Sequence, residues 1–248
     1  MGAARRLIAL MAPALVLCLV LGAGPATAQE VSIDFGSDGS LAGRAVQLLV
    51  LLTVLSLVPG LAIMITCFPF LVTVLSILRQ GIGLQQSPPN MLIVTLALFL
   101  TYFVMEPVFL TAWRDGVTPL VDGAITVEEA LPRALNPFRD FMAGRIDPRT
   151  FEALSTLRPE AVAPLTPQSP LSLLVPSFLL SEIERAFQIG FLIFMPFLII
   201  DLVVAAVLMS MGMMMVPPAI VSLPFKLAFF AVADGWTLIS TALVRSYF

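Results

Sequence analysis

The side chains able to do chemistry in this chain are few, and their types exclude more than they offer. There is no histidine and a single lysine, Lys226. Imidazole acid–base catalysis and histidine metal sites are therefore closed to it. Of two cysteines, Cys18 falls in a segment expected to be removed. Cys67 alone can form neither an intrachain disulfide nor a thiolate metal cluster. What remains is charge set in apolar sequence. Ser181, Glu184, Arg185 and Gln188 recur at i, i+3, i+4 and i+7, one face of a helix, with Glu182 about 100° from Ser181. Asp201 stands inside Ile199-Ile-Asp-Leu-Val203, and Lys226 follows Pro224. A lone charge at bilayer depth costs at least about 2.5–3.5 kcal/mol, so each needs a partner or a water-filled surface. Three readings stand side by side. Glu182 pairs locally with Arg185 while Lys226 snorkels. Glu182 or Asp201 pairs with Lys226 across a helix or subunit boundary and so specifies assembly. Or Asp201 relays protons.

The second chemical resource is sulfur. Met209, Met211, Met213, Met214 and Met215 place five thioethers in seven residues, immediately before Val216-Pro-Pro218. Methionine is unbranched and polarisable, so a cluster of it suits a surface that must seal and yet deform. The double proline ends any helix that reaches it. The plainer alternative is a lipid-facing or core run that happens to be rich in methionine.

The elements that position these residues are membrane helices. At 59% hydrophobic and 12% charged over 248 residues, with mean hydropathy +1.01, the chain is too apolar for a soluble domain. Its slightly acidic balance does not suit nucleic acid. Arg5 and Arg6 precede an apolar core from Leu7 to Leu21, and Ala26-Thr27-Ala28 has the small-x-small pattern cut by signal peptidase, so cleavage is expected after Ala28. That would leave 11 basic and 16 acidic residues, a net charge of −5, because both basic residues removed are arginines. Four apolar segments follow, Ala45–Cys67, Met91–Ala112, Phe187–Met209 and Ala219–Val244, each with the roughly 20 residues needed to cross a bilayer. Pro59-Gly60, Pro69, Pro196 and Pro224 break or border them, which argues for closely packed, proline-kinked hairpins. Between the second and third segments, Trp113–Ser169 holds six arginines, eight acids and seven prolines. It reads as a water-exposed domain or long loop, opening at Thr126 like a short capped helix. A cleaved leader and four spans put this region and both termini on the periplasmic side. The organisation expected is a leader over 1–28, two apolar helices within 29–112, a periplasmic polar region over 113–169 and a C-terminal hairpin region over 170–248.

Two classes of function compete on these features alone. A small-solute transporter or ion channel also uses broken helices and intramembrane charge, but no internal repeat is visible. An aspartyl intramembrane protease needs two membrane acids, and only Asp201 and Asp234 offer themselves.

The run Ser181-Glu-Ile-Glu-Arg-Ala-Phe-Gln-Ile-Gly-Phe-Leu-Ile-Phe-Met-Pro-Phe-Leu-Ile-Ile-Asp201, the methionine run and Ser222-Leu-Pro-Phe-Lys-Leu227 together resemble the FliP family of flagellar type III export-gate proteins, related to the SctR family of injectisomes. Val74-Leu-Ser-Ile-Leu-Arg-Gln80, Gln85-Gln-Ser-Pro-Pro-Asn90 and Ala97-Leu-Phe-Leu-Thr101 agree with it. The resemblance covers roughly Leu48–Met105 and Pro170–Trp236. It implies an all-α membrane protein whose kinked hairpins assemble into a helical oligomeric gate in the inner membrane and flagellar basal body, standing largely on the periplasmic side. It implies several FliP copies around a protein-conducting channel, FliQ- and FliR-like gate subunits, FlhB-like and FlhA-like export components, and flagellar proteins in transit. Met209, Met211, Met213, Met214 and Met215 would form the pore gasket, and Phe191 and Phe194 an aromatic constriction next to it. Glu182, Arg185, Asp201 and Lys226 would be assembly charges, with Glu182 and Lys226 matching positions that pair within the gate. No cofactor, metal or enzymatic activity is implied. Cys67-Phe-Pro-Phe70 departs from the Ser-Phe-Thr-Arg-like run usual in the family.

Overall fold

A computed structural model describes residues 41–83, 88–157, 164–213 and 215–248. The expected leader and its cleavage site at Ala28 lie outside the described residues. The chain divides into two units, one ending at Leu52 and the other running from Thr53 to Phe248. The described part of the first is the beginning of helix α1 (Leu41–Met64), where Val46, Leu48, Leu49, Val50 and Leu52 are exposed. Pro59-Gly60 does not interrupt α1, which runs through both positions.

The second unit is built around a helix that apolar length alone does not reveal. Helix α2 (Phe68–Ile82) has 15 residues, too few for a span, and carries Pro69 in its first turn, where the missing N–H costs nothing. Pro69 therefore opens a new helix and does not merely trail the preceding one. Phe70, Leu71, Val74, Leu75, Leu78 and Ile82 are buried at helical spacing, so α2 is the core of the unit. It ends at Gly83, whose φ of 86° is left-handed and closes the helix through its N–H to the Gln80 carbonyl.

Helix α3 (Asn90–Ala112) packs against α2 and continues, through a π-turn at Trp113–Val117, into the short α4 (Thr118–Val121). Helices α5 (Val127–Arg145) and α6 (Pro148–Ser155) follow. Helix α7 (Leu171–Ser210) is 40 residues long, and the chain returns through α8 (Pro218–Val232) and α9 (Gly235–Arg245). Among the described residues no strand occurs. Two helices there, Asn90–Val121 and Leu171–Ser210, are long and apolar enough to cross a membrane, and α8 with α9 would make a third span.

Two expectations change in this frame. The third apolar segment is only the second half of α7, which starts at Leu171 and passes unbroken through Pro176 and Pro196. The fourth is two helices bent by 62°. Asp234 adopts φ 48° at the bend, and a Cβ on Gly235 would lie 2.2 Å from the Phe230 ring, so only glycine admits that ring. Of the two readings of the polar region, a domain or a long loop, its described residues, 113–157 and 164–169, fit the first, because they form helices that pack on the start of α7. Met142, Ile146 and Phe151 close over Leu173, Leu174 and Phe178 at the start of α7. Helix α5 does follow Thr126, but Thr126 gives it no side-chain cap and it extends for 19 residues. Glu128 accepts from its own amide and from the Thr126 hydroxyl, which holds its carboxyl below the usual range.

Candidate functional site

Helix α7 carries two ionic knots and ends in the methionine loop. The face it turns to α2 is set by small residues. A Cβ on Gly190 would come within 2.5 Å of Ile77, so the two helices touch where glycine removes the side chain. Ala186 and Glu182, one and two turns earlier, share that buried face.

Glu182 is completely buried. It accepts from Arg145 Nε at 3.1 Å, from Arg185 Nη1 at 3.2 Å and from the Tyr247 hydroxyl. Arg145 also donates to the Ser246 carbonyl at 2.7 Å and lies 4.0 Å above the Tyr247 ring. Burial, then the Glu182 charge, push the Tyr247 hydroxyl upward, so it stays a donor. One carboxylate thus ties the end of α5 and the C-terminal residues to α7. The expected helical face does not hold together. Ser181 is buried and accepts from the Asp147 N–H at 2.9 Å, whereas Gln188 donates to Glu184 at 3.2 Å on the exposed side. The closure toward α2 rotates Glu182 inward and Glu184 out.

Near the other end of α7, Lys226 Nζ donates to Asp201 Oδ2 at 2.6 Å and to the Gly81 carbonyl at 3.1 Å. The Ser222 hydroxyl donates to the other Asp201 oxygen. Lys226 is nearly buried while the Asp201 side chain is 31% exposed. Three elements meet at one ammonium: α7, α8 and the last turn of α2, whose unpaired carbonyls favour a cation. Of the two acids considered as partners of Lys226, the structure brings Asp201 to it. Glu182 is instead committed to Arg145, Arg185 and Tyr247, and lies 19 positions, roughly 28 Å, earlier along α7. Asp201 and Asp234 do not share a site: Asp234 accepts from Thr237 at 3.2 Å at the α8–α9 bend.

The methionine loop begins with a double closure of the helix end. Gly212 N–H bonds the Met209 carbonyl and Met213 N–H bonds the Leu208 carbonyl, with Gly212 at φ 73°. This pattern requires a left-handed residue after the last turn, which explains the glycine amid methionines. Pro218 then starts α8 at its first position. Met209 and Met211 are exposed, Met215 is 97% exposed, and Met214 lies outside the described residues. Met211 and Met213 border a wholly apolar cavity of about 590 Å³ between α7 and α8, walled by Val203, Val207, Val221 and Phe225. Phe191 is exposed, and Phe194 is half-buried beside Gly81 of α2. Within one chain neither is next to the loop, because Phe191 precedes Met209 by about five turns, about 27 Å.

Arg145, Tyr247 and Gly81 are not singled out by the sequence, which offers Glu182 only Arg185 as a local partner. Replacing Arg145 by methionine should destabilise the chain by about 3–5 kcal/mol, because it strips the chief partner from a buried carboxylate. Adding Glu182→Gln should recover much of that loss, which thermal unfolding in detergent would measure. Equal melting of the single and double variants would show that charge at Glu182 is not the cause.

A model of the FliP family matches residues 51–243. The flagellar biosynthetic protein FliP of Caulobacter vibrioides is 46% identical over 244 residues, covering 98% of this chain and 91% of that protein. Proteins of the same name from Rhizobium meliloti and Bacillus subtilis are each 44% identical, over 94% and 88% of this chain and 97% and 98% of their own lengths.

Proposed function

The chain belongs to the FliP family and is a component of the flagellar export apparatus, and on that premise we propose that several copies of it line the channel for unfolded flagellar proteins and seal it with their methionine loops. The observation that carries this reading is the loop itself. Met215 is 97% exposed at the tip of the α7–α8 hairpin, flanked by exposed Met209 and Met211. Isolated exposed apolar side chains are ordinary, but a cluster at a hairpin tip marks a surface that meets something else.

Copies arranged around an axis would bring these thioethers together. Branched side chains would fit one geometry, whereas stacked thioethers can close, part around a passing chain and close again. An idle seal then works by keeping water and ions out of a hydrophobic constriction. Phe191, exposed on the same helix, would add an aromatic ring elsewhere along the channel. FliQ- and FliR-like subunits would complete the gate, with FlhB-like and FlhA-like components beside it. In this reading 1–28 is removed after Ala28, and 113–169 faces the periplasm.

Convergence of the loops is testable by disulfide trapping. With Cys67 replaced by serine and Met215 by cysteine, mild oxidation of membranes should give covalent dimers of this chain. The cysteine placed at exposed Val121 should give none. Dimers from both positions, or from neither, would count against loops meeting at an axis.

A further inference from the structure

We infer that the methionine loop is an oxidant-sensitive site, at which hydroperoxides convert exposed thioethers to sulfoxides and thereby loosen the seal. The inference rests on the seal proposed above for its consequence, though not for its chemistry.

Thioether oxidation follows exposure. Met105 and Met142, the other methionines of the folded core, are fully buried. Met209, Met211 and Met215 are 62%, 66% and 97% exposed. If the tip faces a channel, those surroundings are water, so a small polar oxidant reaches them. Met64, Met91 and Met195 are exposed too, at 47%, 75% and 40%, so they also oxidise, and the variants below tie the change in conductance to the loop. Hydrogen peroxide is the oxidant of the required class. The sulfur lone pair attacks one peroxide oxygen, an S–O bond forms and the O–O bond breaks. The second oxygen leaves as water after a proton shift between the two oxygens. Sulfur loses two electrons, the peroxide gains them, and the protein's proton count is unchanged.

The structure gives the product a specific consequence. Met211 and Met213 lie on the border of the 590 Å³ cavity, whose other walls are aliphatic or aromatic. A sulfoxide oxygen finds no donor among those side chains, so the oxidised side chains are driven outward into water. Gly212 has open space around its α-carbon, so nothing packed there resists the swing. A polar, displaced ring of side chains no longer excludes water.

The test uses the intact gate complex in liposomes, with hydrogen peroxide as the probe and ion conductance and peptide mass mapping as readouts. Sulfoxide should form at Met215, Met211 and Met209 under exposures that spare Met105 and Met142. Conductance should rise severalfold in step, and methionine sulfoxide reductases should reverse both changes. A variant with leucine at positions 209, 211, 213, 214 and 215 should not respond to peroxide, whatever its starting conductance. A second variant with glutamine at those positions imitates the polar product and should leak without oxidant. If glutamine leaks yet sulfoxide formation leaves conductance flat, the oxidant switch is overturned while the seal stands. If glutamine does not leak, the seal itself fails and the switch falls with it. Equal oxidation of buried and loop methionines also overturns the switch.

Discussion

Lys226→Glu should abolish motility and assembly of the export gate, and Asp201→Lys in the same chain should restore part of both. The single substitution sets a second carboxylate against Asp201 and beneath the Gly81 carbonyl, where an ammonium now serves both. Removing one partner of a buried pair typically costs about 3–5 kcal/mol. The lower part of that range applies here, because the Asp201 side chain is 31% exposed and water screens it. Even so, that is a large share of a native stability of about 5–15 kcal/mol. The exchanged pair regains the attraction across α7 and α8 but misplaces the donor to Gly81, so recovery should be partial. Glu182→Lys should not rescue Lys226→Glu, since Glu182 already answers Arg145, Arg185 and Tyr247. Swimming assays and native gels of the complex read all four strains. Rescue by Glu182→Lys but not by Asp201→Lys would mean that a contact between copies, and not the one within this chain, governs assembly.

The sequence made the type of this protein legible because its strongest signals are local. Apolar length marked α3 and the second half of α7, and a charge in such a segment demanded a partner before any partner was known. One reading has Lys226 meet Glu182 or Asp201, and within one chain helix packing makes that choice, while the local pairing of Glu182 with Arg185 is also present. Gly190 against Ile77 fixes which side of α7 faces α2, and hence which acid faces the inside of the fold. Periodicity in α7 does not announce that rotation, because its one polar face, Ser181, Glu184, Arg185 and Gln188, leaves out Glu182, and the helix as a whole has no clear polar stripe. Helix α2 was missed for a related reason: 15 residues cannot span a bilayer, and Pro69 looked like an ending when it is a beginning. The bend at Asp234-Gly235 was invisible because it depends on the Phe230 ring lying against a glycine in the folded state. Arg145 and Tyr247, 37 and 65 positions from Glu182, reach it only through tertiary packing. The methionine loop is the opposite case. Its composition, its glycine and its double proline were all readable, and the helix closure at Gly212 supplies the reason for that glycine.

The largest effect on ion tightness should come from removing the thioethers. Deleting Met213–Met215 shortens the turn after Gly212 while leaving the double closure at Gly212 its residue after the glycine, now Val216, to donate to Leu208. The α7–α8 pairing through Asp201 and Lys226 lies more than two turns away from the cut on each side, so the hairpin should survive. What is lost is the deformable apolar material at the tip. Export of flagellar proteins should then continue at a reduced level, since an unfolded chain needs passage more than closure.

Conductance of the idle gate is the most direct measure of whether the loop seals a pore. Gate complexes carrying the Met213–Met215 deletion, reconstituted in planar bilayers without export substrate, should show persistent ion current where the unaltered complex shows almost none. An assembled deletion complex as tight to ions as the unaltered one would contradict the seal.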